Sequence, residues 1–219
     1  MIYLVYGRPK SGKTTFGASF ENVTLIDLER GGHHTAAKRV TPKDWTELAQ
    51  VIGDHTSNPQ GPLVVDSLTV AHKMALDYVQ GKTKPDLLSI KKPVSLPQYG
   101  QANDLVSQLI LTLRGLPTDT ILICQERVTY VEQAEPEDDS VGSVRESVPD
   151  LPQGARQTAL MYADVIGYSE ASTKEGKTTY RLWLKPTEGI TAGCRFDIAN
   201  RKPFLINPTE TRITTYLKG

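Results

Sequence analysis

Cysteine is scarce in this 219-residue chain and net charge is absent: two cysteines, and 25 basic against 25 acidic residues. Neither Cys124 nor Cys194 lies in a CxxC or other metal-ligand spacing, so a disulfide framework and a zinc site have no support, and a reducing cytoplasm is expected. With no charge excess, no global field announces nucleic acid, membrane or an acidic substrate, and any DNA contact must be local. Long hydrophobic runs are missing too. Nothing approaches the roughly 18 apolar residues that span a bilayer, and Met1 stands against an apolar strand without a charged leader, so a soluble, unexported chain with no membrane partner is expected. Histidine is rare as well. His33 and His34 are adjacent but have no carboxylate or thiol at ligand spacing, which reads as an exposed loop pair. No internal repeat is present.

What the chain does have is 38% hydrophobic residues, enough for one core and one domain over residues 1–219. Apolar runs at 2–6 (IYLVY), 23–27 (VTLID), 62–66 (PLVVD) and 120–124 (TILIC) read as strands. Between them lie helical patterns at about 44–52, 69–80 and 100–113. Apolar strands alternating with helices predict an α/β fold with a mostly parallel central sheet covered on both faces. VIGYSEA and TTYRLWLKP, joined through KEG at 174–176, predict a C-terminal antiparallel hairpin, and the final RITTYL predicts one more edge strand. Two long connections, about 81–97 and 128–153, read as functional or mobile loops.

GRPKSGKTT at 7–15 has phosphate-loop spacing and the context the motif requires, leaving a strand and opening a helix. Gly7 and Gly12 let the backbone curl so that successive N–H groups along Arg8, Pro9, Lys10 and Ser11 line an anion cradle, Pro9 contributing no donor. Lys13 would reach the β and γ phosphates of ATP, and Thr14 would place its hydroxyl on Mg²⁺. Thr15 reads as first-turn support and Lys10 as a solvent-facing charge. Asp66, ending its strand, has the position of a Mg²⁺-holding carboxylate, or else of a cap for the next helix, a role Ser67 fills more naturally. The residue after Asp66 is not a glutamate, so a catalytic base must come from elsewhere. Glu29, past the end of VTLID, would face the same crevice and orient a water, or would be a solvated loop carboxylate. Gln125, following TILIC, projects toward the γ-phosphate or is a plain surface glutamine.

GRPKSGKTT, LIDLE, PLVVDSLT and ILICQE, in this order, resemble the core of RecA-like ATPases, in particular small phage ATPases that assist recombination and single-strand annealing. GARQTALMYADVIGYSEA at 154–171 extends the resemblance to roughly residues 2–185. It implies that Glu29 activates water, that Asp66 is the Walker B carboxylate and that Gln125 senses the γ-phosphate. It implies a cytoplasmic location in a bacterial host, a homo-oligomeric ring or filament, single-stranded DNA as partner, and a possible contact with single-strand-binding protein. Residues 81–97 and 128–153 would then be the two DNA loops, with Lys82, Lys84, Lys91, Lys92, Arg127, Arg145 and Arg156 as candidate contacts. Tyr99 would add a stacking surface. Lys185 or Arg195 would reach the nucleotide of a neighbouring subunit.

The sequence departs from that family by starting at the first core strand and by carrying Glu132, Glu135, Glu137, Asp138 and Asp139 in the second loop. Those acids favour a second reading, an ATP-gated accessory or loader module that binds a basic protein. A small-molecule kinase ranks third, because residues 81–97 contain no arginine for a phosphoryl-closing lid.

Overall fold

The computed structural model describes residues 1–82, 93–133 and 142–218. In chain order the elements are β1 (Ile2–Gly7), α1 (Lys13–Gly17), β2 (Thr24–Asp27), β3 (Lys38–Val40), α2 (Trp45–Ser57), β4 (Leu63–Asp66), α3 (Leu68–Val79) and α4 (Leu96–Arg114). There follow β5 (Thr120–Gln133), β6 (Gly142–Pro149), α5 (Gln153–Tyr162), β7 (Val165–Lys174), β8 (Lys177–Trp183), β9 (Gly193–Cys194), β10 (Phe204–Ile206) and α6 (Glu210–Lys218). The sheet order is β10-β8-β7-β1-β5-β4-β2-β3, and the run from β7 to β3 is parallel throughout. The expected α/β class, with a mostly parallel sheet flanked by helices and antiparallel C-terminal strands, is what the chain adopts.

The central strands are buried along their whole length because helices cover both faces. Alternation divides β1 between two cores: Leu4 and Tyr6 join α2, α3, α4 and α5 on one face, while Tyr3 and Val5 pack with Phe16, Phe20 and Ile213 on the other. Helix starts follow local chemistry. Asp44 accepts from the Glu47 amide, and Ser67 caps α3. Ser95 and Gln98 form a reciprocal capping box with proline in the first turn, so α4 begins at Leu96, ahead of the expected start near Gly100.

Two expectations are corrected. The stretch 128–153 is not a loop across its described part. β5 runs on past Cys124, and β6 returns antiparallel to it from Gly142 opposite Gln133 to Pro149 opposite Glu126, making a two-stranded ribbon. Alternating β-formers in RVTYV and SVRESV account for the pairing, a signal that the acidic residues around it obscure. The terminal RITTYL is helical, within α6, and not an edge strand. Ile213 is fully buried and Tyr216 and Leu217 pack beside it in the same core, an i, i+3, i+4 stripe that outweighs the β preference of the threonines. The KEG hairpin forms as expected, with Glu175 and Gly176 both at positive φ in the turn between β7 and β8.

Candidate functional site

The loop between β1 and α1 is wedged against the neighbouring strands. A Cβ on Gly7 would stand 2.1 Å from the Ser169 carbonyl oxygen of β7, so only glycine lets the strand turn there. Gly12 has φ 91°, and a Cβ would meet the Tyr180 ring at 2.7 Å. Between them Ser11 is buried, its carbonyl accepting from the Ser169 hydroxyl at 2.7 Å, whereas Arg8, Pro9 and Lys10 are exposed. Thr15 is exposed as well.

Lys13 is buried, and its ammonium donates to the Gly7 carbonyl at 2.9 Å, the Arg8 carbonyl at 2.7 Å and Gln125 Oε1 at 3.4 Å. Burial lowers its pKa, opposed by the charges of Asp66 and Glu29. The ammonium therefore closes the loop on itself, in the place where phosphate oxygens would offer stronger acceptors.

Sheet order brings the remaining candidates together. The strand carrying Gln125 lies between the phosphate-loop strand and the strand carrying Asp66, with β2 next, so the C-terminal ends of β1, β4 and β2 and the Gln125 position of β5 form one edge. Gln125 Nε2 donates to Glu29 Oε1 at 2.7 Å and to Oε2 at 2.9 Å, so one glutamine amide bridges Lys13 and Glu29. Thr14 Oγ1 donates to Asp66 Oδ2 at 2.5 Å. Asp66 is buried, and burial chiefly pushes its carboxyl up to about 6, with the Thr14 hydrogen bond lowering it and Glu29 raising it further. A hydroxyl and a carboxylate side by side form an all-oxygen pair that fits Mg²⁺, which takes one or two protein oxygens and fills its shell with phosphate oxygens and water. Among the described residues no cluster of three His, Cys, Asp or Glu side chains offers an alternative metal site.

Three supporting side chains escaped sequence reasoning. Ser67, expected only as a cap, also donates to Glu29 Oε1 at 2.5 Å. Asp27 is fully buried and accepts from the Gly31 and Gly32 amides at 3.0 and 2.9 Å, with Arg39 at 3.6 Å, which fixes the turn that aims Glu29. The Gly-Gly pair after LIDLER was the available signal. Glu126, directly after Gln125, is a buried carboxylate reached by Arg8 and Arg145, and nothing in its local sequence marks it. Above it a cleft of about 700 Å³ opens between Arg8, Pro9 and Ser11 of the loop and Tyr168, Glu170 and Arg145.

The outlying candidates are scattered. Lys84, Lys91 and Lys92 lie outside the described residues, and Lys82 reaches Gln80 Oε1 at 2.5 Å and Asp77 at 3.9 Å. Arg127 pairs with Asp150 at 2.7 Å, Arg145 with Glu126 at 3.6 Å, and Arg156 is half-buried on α5. Exposed Tyr130 lies directly opposite Arg145 across the ribbon. Lys185 donates to the Ala199 carbonyl at 2.7 Å, and Arg195 holds Asp164 at 3.6 Å and the Ala163 carbonyl at 3.2 Å. Both sit toward the N-terminal ends of the parallel strands, the edge opposite the phosphate loop. His33 and His34 are exposed. No helix among the described residues is long and apolar enough to cross a membrane.

A family model described as an AAA domain matches residues 1–196. No curated protein matches the chain.

Proposed function

The chain belongs to the AAA domain family of P-loop ATPases, and from that premise we propose that it is a Mg²⁺-dependent, RecA-like ATPase that acts on single-stranded DNA in phage-type recombination or annealing. The observation that carries the ATPase part is the convergence of Lys13, Thr14, Glu29, Asp66 and Gln125 into one hydrogen-bonded group on a single sheet edge.

On this reading the triphosphate replaces the Gly7 and Arg8 carbonyls as the acceptor of the Lys13 ammonium. Thr14 and Asp66 would hold Mg²⁺, which when bound neutralises charge on the phosphate oxygens. Glu29, oriented by Ser67 and Gln125, accepts a proton from the attacking water. Gln125 reports the γ-phosphate, because its amide touches both the Lys13 ammonium and Glu29. The DNA part rests on continuity: β5 carries Gln125 and runs without a break into the ribbon that presents Tyr130 and Arg145. An aromatic beside a cation is the pairing that stacks bases and neutralises phosphates.

An oligomer with head-to-tail contacts would bring the edge carrying Lys185 and Arg195 against a neighbour's phosphate loop. Removing either charge should abolish DNA-stimulated hydrolysis while ATP binding persists. Unchanged stimulation disposes of that arrangement.

The principal test is binding to a single-stranded oligonucleotide at low and high salt with and without ATP, together with the ATPase rate with and without that DNA. Absence of binding at low salt sinks the DNA reading and leaves the ATPase intact. Lys13→Ala should weaken ATP binding by about tenfold or more, read by titration with a fluorescent ATP analogue.

A further inference from the structure

Glu126 is the residue next to the proposed phosphate sensor, and its side chain is only 3% exposed. A carboxylate withdrawn this far from water needs partners, and it has four. Ser147 Oγ donates to it at 2.7 Å, and the Tyr168 hydroxyl lies at 3.4 Å. The other two are guanidiniums from separate parts of the site: Arg8 of the phosphate loop donates from Nε at 3.2 Å, and Arg145 of the ribbon stands at 3.6 Å. The ribbon root is seated independently as well, because the Tyr6 hydroxyl lies 2.8 Å from the carbonyls of both Ser147 and Thr191.

We propose that Glu126 is a positioning residue that couples the phosphate loop to the β5–β6 ribbon by being shared between Arg8 and Arg145. The inference rests on the nucleotide reading above. Arg8 has a side chain 63% exposed and belongs to the loop that a triphosphate would occupy, so bound phosphate competes with Glu126 for its guanidinium. Glu126 cannot follow, being fixed in β5 and held by Ser147. Arg145 then becomes the one guanidinium left to a buried charge and is drawn tighter against it. ATP thereby stiffens the ribbon root.

Hydrogen exchange of the full chain tests this, with and without saturating ATP and Mg²⁺, occupancy being confirmed with a fluorescent ATP analogue. In the unaltered protein, ATP should slow exchange of amides at 127–130 and 145–148 by about threefold. Glu126→Gln should lose that response, Glu126→Asp should keep part of it, and Arg8→Gln, a change at an exposed side chain, should lose it even if Glu126→Gln fails to fold. A merely structural Glu126 would alter protection equally in both states and leave the ATP-dependent difference intact, which overturns the proposal. So does an ATP-saturated unaltered protein whose ribbon exchanges at the unliganded rate. Failure of ATP to bind at all is a different result, since it removes the nucleotide reading itself.

Discussion

At the scale of single residues, the site is a chain of short polar contacts in which each member depends on a neighbour from another strand. Glu29 is the clearest case: it lies beyond the end of β2 on a turn pinned by Asp27, and its carboxylate is gripped by Ser67 and Gln125. Glu29→Gln keeps the shape and removes the carboxylate proposed as the base, so the variant should bind ATP normally and lose turnover by about a hundredfold, measured as phosphate release. A normal rate places the base elsewhere. Lys13, Thr14 and the two loop glycines were legible from spacing, because phosphate-cradling backbone demands those residue types at those intervals. Ser67, Asp27 and Glu126 were not, because a serine or a carboxylate has many uses and only the partner brought to it by folding selects one.

At the scale of elements, α6 and the α3–α4 pair make sharp predictions. Ile213 is fully buried while Thr215 is exposed, the pattern of a helix and not of a strand. Ile213→Ala should therefore cost about 2–5 kcal/mol, whereas Thr215→Lys should stay within about 0.5 kcal/mol, both read from urea unfolding. Between α3 and α4, His72 Nε2 meets Asn103 Oδ1 at 3.0 Å and its ring lies 5.7 Å from Tyr99. Burial is the main cause that lowers its pKa below the ordinary 6.5, with Arg127 acting the same way and Asn103 and Asp150 opposing. The unfolded chain thus binds more protons as pH falls below about 6.5, so stability contributed above that pH is lost on acidification. Urea midpoints at pH 8 and pH 5.5 should differ more in the unaltered protein than in His72→Gln. The ribbon was read from the sequence as a loop, because its β-formers are local but the choice of partner strand is a tertiary pairing.

At the scale of the whole molecule, the decisive fact is that β5 lies between β1 and β4, which puts Gln125 between the phosphate loop and Asp66 and lets the same strand leave the sheet as a ribbon. Replacing residues 129–146 by a short turn should abolish binding to single-stranded oligonucleotide and leave ATP affinity within about threefold, since the nucleotide group is complete without it. Retained DNA binding would place the contact on another surface, the segment from 81 to 97 being the next to alter. The sequence by itself determined the α/β class, the phosphate loop and the order in which Glu29, Asp66 and Gln125 arrive, because apolar runs, glycine spacing and strand-end polar residues are local signals. Only the tertiary structure decided that 128–133 and 142–149 pair as a ribbon, that the C-terminus is a helix, and that Glu126 joins Arg8 to Arg145. Strand partners, buried faces and shared counter-charges are relations between residues far apart in the chain, and they exist only once the sheet has closed.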